Sequence, residues 1–250
     1  MQAQSRAEYC SGRPEASPYA PPVVAPRIPE ELATARLVLR RWRPSDLDAL
    51  AEVFALREVW EFPFGRGLTR EETAHYLSQF LESWARDGYG MYALELFGTD
   101  RLIGFTGIRL ATWFSEIDGN VEIGWRLHPE CWRKGYATEA AMASLRVGFS
   151  ELGPERIVAV VEPANTASLR LAERLGMRVV RRVVEPRLQK ALEVCVVERA
   201  RYGALVDPPT GASGSGEDAA VVEGDDIVAE LEGIRVVRCD DDGHPAPRRA

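Results

Sequence analysis

Residues Asn120 to Arg146, N-V-E-I-G-W-R-L-H-P-E-C-W-R-K-G-Y-A-T-E-A-A-M-A-S-L-R, set a strand, a glycine turn and a helix end to end. Val121, Ile123, Trp125 and Leu127 alternate with Glu122, Gly124, Arg126 and His128, the period of a strand with two distinguishable faces. Cys131 to Thr138 follows neither strand nor helix spacing and carries Gly135 where the chain must turn, and Ala137 to Ala143 then favours helix. A strand running through glycine into a helix belongs to a chain that mixes both element types, and its junction is suited to anions. Unpaired amides at the helix start point outward, and the helix dipole adds about half a positive charge there. Arg133 and Lys134 flank the turn and favour a phosphorylated cofactor over a neutral ligand. An ordinary strand-to-helix connection is spelled the same way, so the context must decide.

Composition narrows that context. At 250 residues there is room for one domain with appendages or for two small ones. A hydrophobic share of 46% and a charged share of 28% fit a soluble globular chain. No apolar run reaches the roughly eighteen residues of a membrane span, so no membrane partner is expected. The proline-rich start, with Arg6, Glu8, Arg13 and Glu15 interrupting it, lacks the apolar core of a signal peptide, and a cytoplasmic location is the expectation. Cys10, Cys131, Cys195 and Cys239 form no C-x-x-C pair, so free thiols are expected, with no metal site and no disulfide framework. Residues 207–250 carry eleven acidic and four basic side chains, which accounts for the whole net charge of −7. The remainder is neutral, and no nucleic-acid partner is expected.

In chain order, residues 1–33 read as a disordered proline-rich arm, residues 34–206 as the folded domain, 207–219 as a flexible linker and 220–250 as an acidic tail able to be partly ordered. Ala35 to Trp42 is a first strand, and Leu47, Leu50, Val53 and Phe54 mark a first helix. Glu61 to Gly67 reads as a loop whose Phe62 and Phe64 either line a pocket or anchor the loop on the core. Thr69 with Glu72 forms a capping box, opening a second helix that ends at Gly88. Tyr89 to Phe97 and Leu102 to Phe114 are strands joined by the turn Gly98-Thr99-Asp100, and Ser115 to Gly119 turns into the central strand. A helix follows from Tyr136 to about Ser150. Ile157 to Val161 is a strand buried on both faces. Asn165 caps a helix ending at Gly176, and Met177 to Val184 and Ala191 to Val197 complete a mixed, mostly antiparallel sheet of about seven strands with helices on both faces.

This order, with the glycine turn after the fourth strand, resembles the GNAT superfamily of N-acetyltransferases from about residue 33 to residue 205. The family's Q/R-x-x-G-x-G/A loop is matched by Trp132, Arg133, Lys134, Gly135, Tyr136 and Ala137, with Trp132 replacing the usual Gln or Arg and Arg133 standing where glycine is common. The strings P-E-C-W-R-K-G-Y-A-T-E-A, E-I-G-W, N-T-A-S and R-L-G-M resemble the Rim-type subfamily, which acetylates ribosomal-protein N-termini and other amines. The resemblance implies acetyl-CoA as cosubstrate, its diphosphate on main-chain donors from Trp132 to Thr138. It also implies a pantetheine arm between two splayed strands, against main-chain groups of Trp125, Arg126 and Leu127. Asn165 would contact the cofactor, and Ser168, at the N-x-x-S position, would also touch it and protonate the departing thiolate.

Acyl transfer to an amine needs a neutral nucleophile, a donor for the developing oxyanion and a proton for the leaving sulfur. An alkyl ammonium must therefore lose a proton. Glu122 is the expected acceptor of that proton, with an ion pair to Arg126 as its other reading and Glu116 and Asp118 as alternates. His128, beside Pro129, is read as structural and Tyr136 as packing. The acceptor is expected to be a peptide N-terminus or a small-molecule amine, and the sequence leaves a homodimer open. A reading of a different class is a non-catalytic CoA-binding or regulatory module whose acidic tail contacts a partner. No G-x-x-x-x-G-K-[ST] string supports a nucleotide-binding alternative.

Overall fold

The computed structural model describes residues 28–206 apart from residue 114. Residues 1–27 of the expected arm, the linker, the acidic tail, Cys10, Cys239 and Phe114 lie outside the described residues. The last part of the expected arm belongs to the domain. Glu31–Ala33 forms strand β1, Ile28 and Leu32 are buried, and the Tyr92 hydroxyl donates to the Pro29 carbonyl at 2.7 Å. Three residues held by one antiparallel partner leave too little periodicity to be seen against the neighbouring prolines.

The elements that follow are β2 (Leu37–Arg40), α1 (Leu47–Phe54), α2 (Glu61–Phe64), α3 (Arg70–Asp87), β3 (Met91–Leu96), β4 (Leu102–Leu110) and β5 (Val121–Leu127). Beyond them lie α4 (Tyr136–Val147), β6 (Arg156–Val161), α5 (Thr166–Arg174), β7 (Arg178–Glu185), β8 (Lys190–Glu198) and α6 (Arg199–Val206). The sheet has eight strands in the order β1-β2-β3-β4-β5-β6-β8-β7, the added member being β1. Every neighbouring pair is antiparallel except β5 and β6.

Alternation along the strands divides the core. Tyr92 and Leu94 join Leu37, Leu39, Ile103, Ile123 and Ala159 beneath α4, α5 and α6, whereas Met91 and Ala93 join Phe105 beneath α1 and α3. Local chemistry ends the helices where the sequence indicates. The Thr69 hydroxyl accepts from the Glu72 amide, the Glu72 carboxylate accepts from the Thr69 amide, and Gly88 closes α3 at φ 74°. The expected loop over residues 61–67 instead begins with the short α2, closed by Gly65 at φ 67°. Four residues with a proline inside show no helical period, so pattern reasoning passes over them. Among the described residues no helix is long and apolar enough to cross a membrane.

Candidate active site

The turn into α4 is built on two left-handed residues, Arg133 at φ 57° and Gly135 at φ 80°. Glycine adopts that conformation freely, whereas a side chain there costs about 1–2 kcal/mol, so Arg133 is a strained position. No side chain caps α4, and its first internal bond runs from the Glu139 amide to the Gly135 carbonyl at 3.0 Å. The amides of Tyr136, Ala137 and Thr138 are therefore the outward-pointing donors of the helix start. The Trp132 amide leaves the expected donor set, because it bonds the Pro129 carbonyl at 3.0 Å. Its indole Nε1 instead donates to the Leu127 carbonyl at 2.8 Å, pinning the loop to the end of β5, while the residue as a whole is 45% exposed.

A second anchor joins segments distant in sequence. Glu139 is 2% exposed inside α4 and accepts from the Thr34 hydroxyl at 2.5 Å and from the Arg36 amide at 2.9 Å. Arg36 Nε donates to the other carboxylate oxygen at 2.7 Å, and its Nη1 reaches the Lys134 carbonyl at 2.8 Å. The guanidinium also lies 4.8 Å from the centre of the Tyr136 ring. One arginine just before β2 thus holds both the loop and the first turn of α4. The only signal in the sequence is a lone carboxylate in a run of small apolar residues.

The parallel strands β5 and β6 share just two register partners, Val121↔Ile157 and Glu122↔Val158, and then part. The His128 amide donates to Ile103 of β4 at 2.7 Å, so strand alternation turns the peptide groups of Leu127 and Trp125 towards the opened edge. Arg126 does not share that edge, since its carbonyl packs against Gly104, where a Cβ would sit only 2.0 Å away. Across the gap, the Trp125 indole Nε1 donates to Ser168 Oγ at 3.3 Å. Asn165 Oδ1 caps α5 by accepting from the Ser168 amide at 3.1 Å. Two of the expected residues from distant parts of the chain are therefore brought together, with a polar hydroxyl at the mouth of a slot whose edge offers main-chain groups.

The opposite face of the sheet carries the charged groups. Glu122 is buried, and its Oε2 accepts from Arg109 Nε and from Trp113 Nε1, both at 2.8 Å. The alternative pairing with Arg126 is not formed. Arg109 is the register partner of Glu122 on β4, whereas Arg126 lies four residues along the same strand, roughly 13 Å away. Arg126 stacks over Trp60, 3.8 Å from the ring centre, and donates to the carbonyls of Val59 and Phe62, tying α2 to β5. Burial pushes its guanidinium down to about 10, which still leaves it charged at neutral pH. Phe64 stacks on Trp60 with ring centres 5.5 Å apart, and burial raises the neighbouring Tyr76 phenol. Glu116 and Asp118 are exposed on the turn before β5, and His128 Nδ1 accepts from the Glu130 amide at 3.2 Å, a capping role. Two buried side-chain atoms among the described residues lack a partner, Trp60 Nε1 and Glu162 Oε1.

The family model described as an acetyltransferase (GNAT) domain matches residues 36–178. The chain is 31% identical over 150 residues to the uncharacterized N-acetyltransferase p20 of Bacillus licheniformis, covering 60% of this chain and 83% of that one. It is 33% identical over 147 residues to the uncharacterized N-acetyltransferase YnaD of Bacillus subtilis, covering 59% of this chain and 82% of the relative. Among solved structures, a GNAT-family acetyltransferase from Bacillus anthracis superposes with a TM-score of 0.55 at 27% identity, over 67% of this chain and 98% of that one.

Proposed function

Because this chain belongs to the GNAT acetyltransferase family, and is thereby an acetyl-transferring enzyme, we propose that it moves the acetyl group of acetyl-CoA directly to a primary amine. The acceptor is the α-amine of a polypeptide or a small-molecule amine, with Rim-type enzymes as the subfamily that the strings around Trp132, Asn165 and Gly176 resemble. The observation that carries this reading is the Trp125–Ser168 contact at the mouth of the slot between β5 and β6, beside a helix start with free amides.

Bound acetyl-CoA supplies a thioester, an acyl carbon open to attack by a neutral amine. The amides from Arg133 to Thr138 fit the diphosphate, with Lys134 and Arg133 adding positive charge. The edge groups of Trp125 and the Leu127 amide suit the amide-bearing arm, and Asn165 stands at the head of α5, where its Oδ1 holds the Ser168 amide. Ser168 accepts the Trp125 N–H, which leaves its own hydrogen to be given to the sulfur. Glu122 is already engaged by Arg109 and Trp113, and in this reading it steadies that wall.

The test is incubation with acetyl-CoA and a panel of N-terminal peptides, amino acids and polyamines while free thiol is followed. Thiol release that requires an amine and yields the N-acetyl product is the expected result. CoA binding with no release from any amine would favour the non-catalytic module instead.

A further inference from the structure

Glu162 follows β6 directly, and its main-chain carbonyl accepts from the Asn165 amide at 2.8 Å, closing the turn that launches α5 and Ser168. Its side chain is 10% exposed. Oε2 faces Lys190 Nζ at 3.4 Å, a long contact, and Oε1 is buried without any hydrogen-bond donor among the described residues. Ile157, Ala159 and Val161 enter the core beneath α4 and α5, whereas Val158 and Val160 face the other way. Alternation therefore sends Glu162 to the face that also carries Glu122 and Arg126, and Arg126 feels its charge.

A buried carboxylate oxygen with no donor is costly, and folded proteins keep such atoms mainly where a ligand or water completes them. The donor that suits this one is cationic and compact. An ammonium has three N–H groups and a charge to offset the carboxylate. The location also fits, because Glu162 borders the open end of the slot next to Asn165 and Ser168. Glu122 lies where the strands are still paired, roughly 13 Å back along β6 as judged from its partner Val158.

We propose that Glu162 is the residue that receives the acceptor amine, binding its ammonium through Oε1 and taking one proton from it. This rests on the acetyltransferase reading above and names the missing half of that site. The ammonium passes one proton to Glu162, and its nitrogen then forms the C–N bond to the acetyl carbon as the C–S bond breaks. The sulfur takes the Ser168 hydroxyl proton, and Ser168 regains one from the second proton shed by the nitrogen, through solvent. Glu162 returns its proton to solvent, so each turnover of an ammonium releases one proton.

The experiment compares Glu162→Gln, Glu162→Asp and Lys190→Met with the wild-type enzyme, using the best primary amine from the panel and CoA titration calorimetry. The expected result is a fall in kcat/KM for the amine of about 100-fold in Glu162→Gln, with CoA affinity and melting temperature unchanged. Glu162→Asp recovers a substantial part of the activity, and Lys190→Met stays within about threefold of wild type, since it removes only the long contact to Oε2. The proposal is overturned if Glu162→Gln keeps wild-type turnover, or if Lys190→Met falls as far, which would make the carboxylate one half of a structural ion pair. A wild-type protein that binds no CoA and releases no thiol overturns the acetyltransferase reading itself, and that control tells the two failures apart.

Discussion

The indole N–H of Trp125 and the hydroxyl oxygen of Ser168 meet at 3.3 Å across the point where β5 and β6 separate. Because Ser168 is the acceptor in this bond, its hydrogen is directed away from the indole. Ser168→Ala should lower kcat by about 100-fold while leaving the KM for acetyl-CoA nearly unchanged. Trp125→Phe, which frees the hydroxyl to rotate, should cost about fivefold, the worth of one neutral hydrogen bond. Steady-state kinetics on both variants checks this, and equal activity in Ser168→Ala would remove the serine from the reaction.

Glu139 draws Thr34 and Arg36 onto α4 from 105 and 103 residues away in sequence. Replacing it with Ala removes the acceptor shared by the buried Thr34 hydroxyl and the Arg36 amide, and the expected loss is about 1–3 kcal/mol, or a fall in Tm of about 5 °C. Since Arg36 also holds the Lys134 carbonyl, the variant should bind CoA more weakly even at temperatures where it remains folded. Thermal denaturation and calorimetry separate the two effects, and an unshifted Tm would contradict the anchor.

Glu72 gives the fold a specific acid sensitivity. Arg66, with Nη2 at 2.5 Å, and then the Thr69 amide at 2.8 Å hold its carboxyl down from the usual 4.5 to about 2. A carboxyl lowered by folding contributes stability that is present above its ordinary value and is lost as pH falls towards the folded one. The urea midpoints of wild type and Glu72→Gln should therefore differ at neutral pH and converge between pH 4.5 and about 2. A difference that persists to the lowest pH would assign the effect to something other than this carboxyl.

What the sequence made legible follows from range. Strands with period two and helices with local caps, such as Thr69 with Glu72 and Asn165 at the head of α5, are written in neighbouring residues, and the structure has them there. The elements β1 and α2 escape pattern reading because three or four residues hold no period. Arg36 with Glu139 is a contact between distant segments, invisible to any window. The partner of Glu122 is hidden for a different reason. Arg126 is closer in sequence, but the hairpin register sets Arg109 directly opposite. The orphaned oxygen of Glu162 is a property of packing that no local pattern encodes.

The claim beneath all of this is that the amides between Arg133 and Thr138 bind the diphosphate of CoA. Calorimetric titration of the protein with CoA and with pantetheine, which lacks the diphosphate, tests it directly, with Gly135→Val as the perturbed turn. The account predicts that CoA binds at least about 100-fold more tightly than pantetheine, and that the valine, strained at φ 80°, erases most of that difference. Equal affinity for the two ligands, or a Gly135→Val protein that still favours CoA as the wild type does, would contradict it.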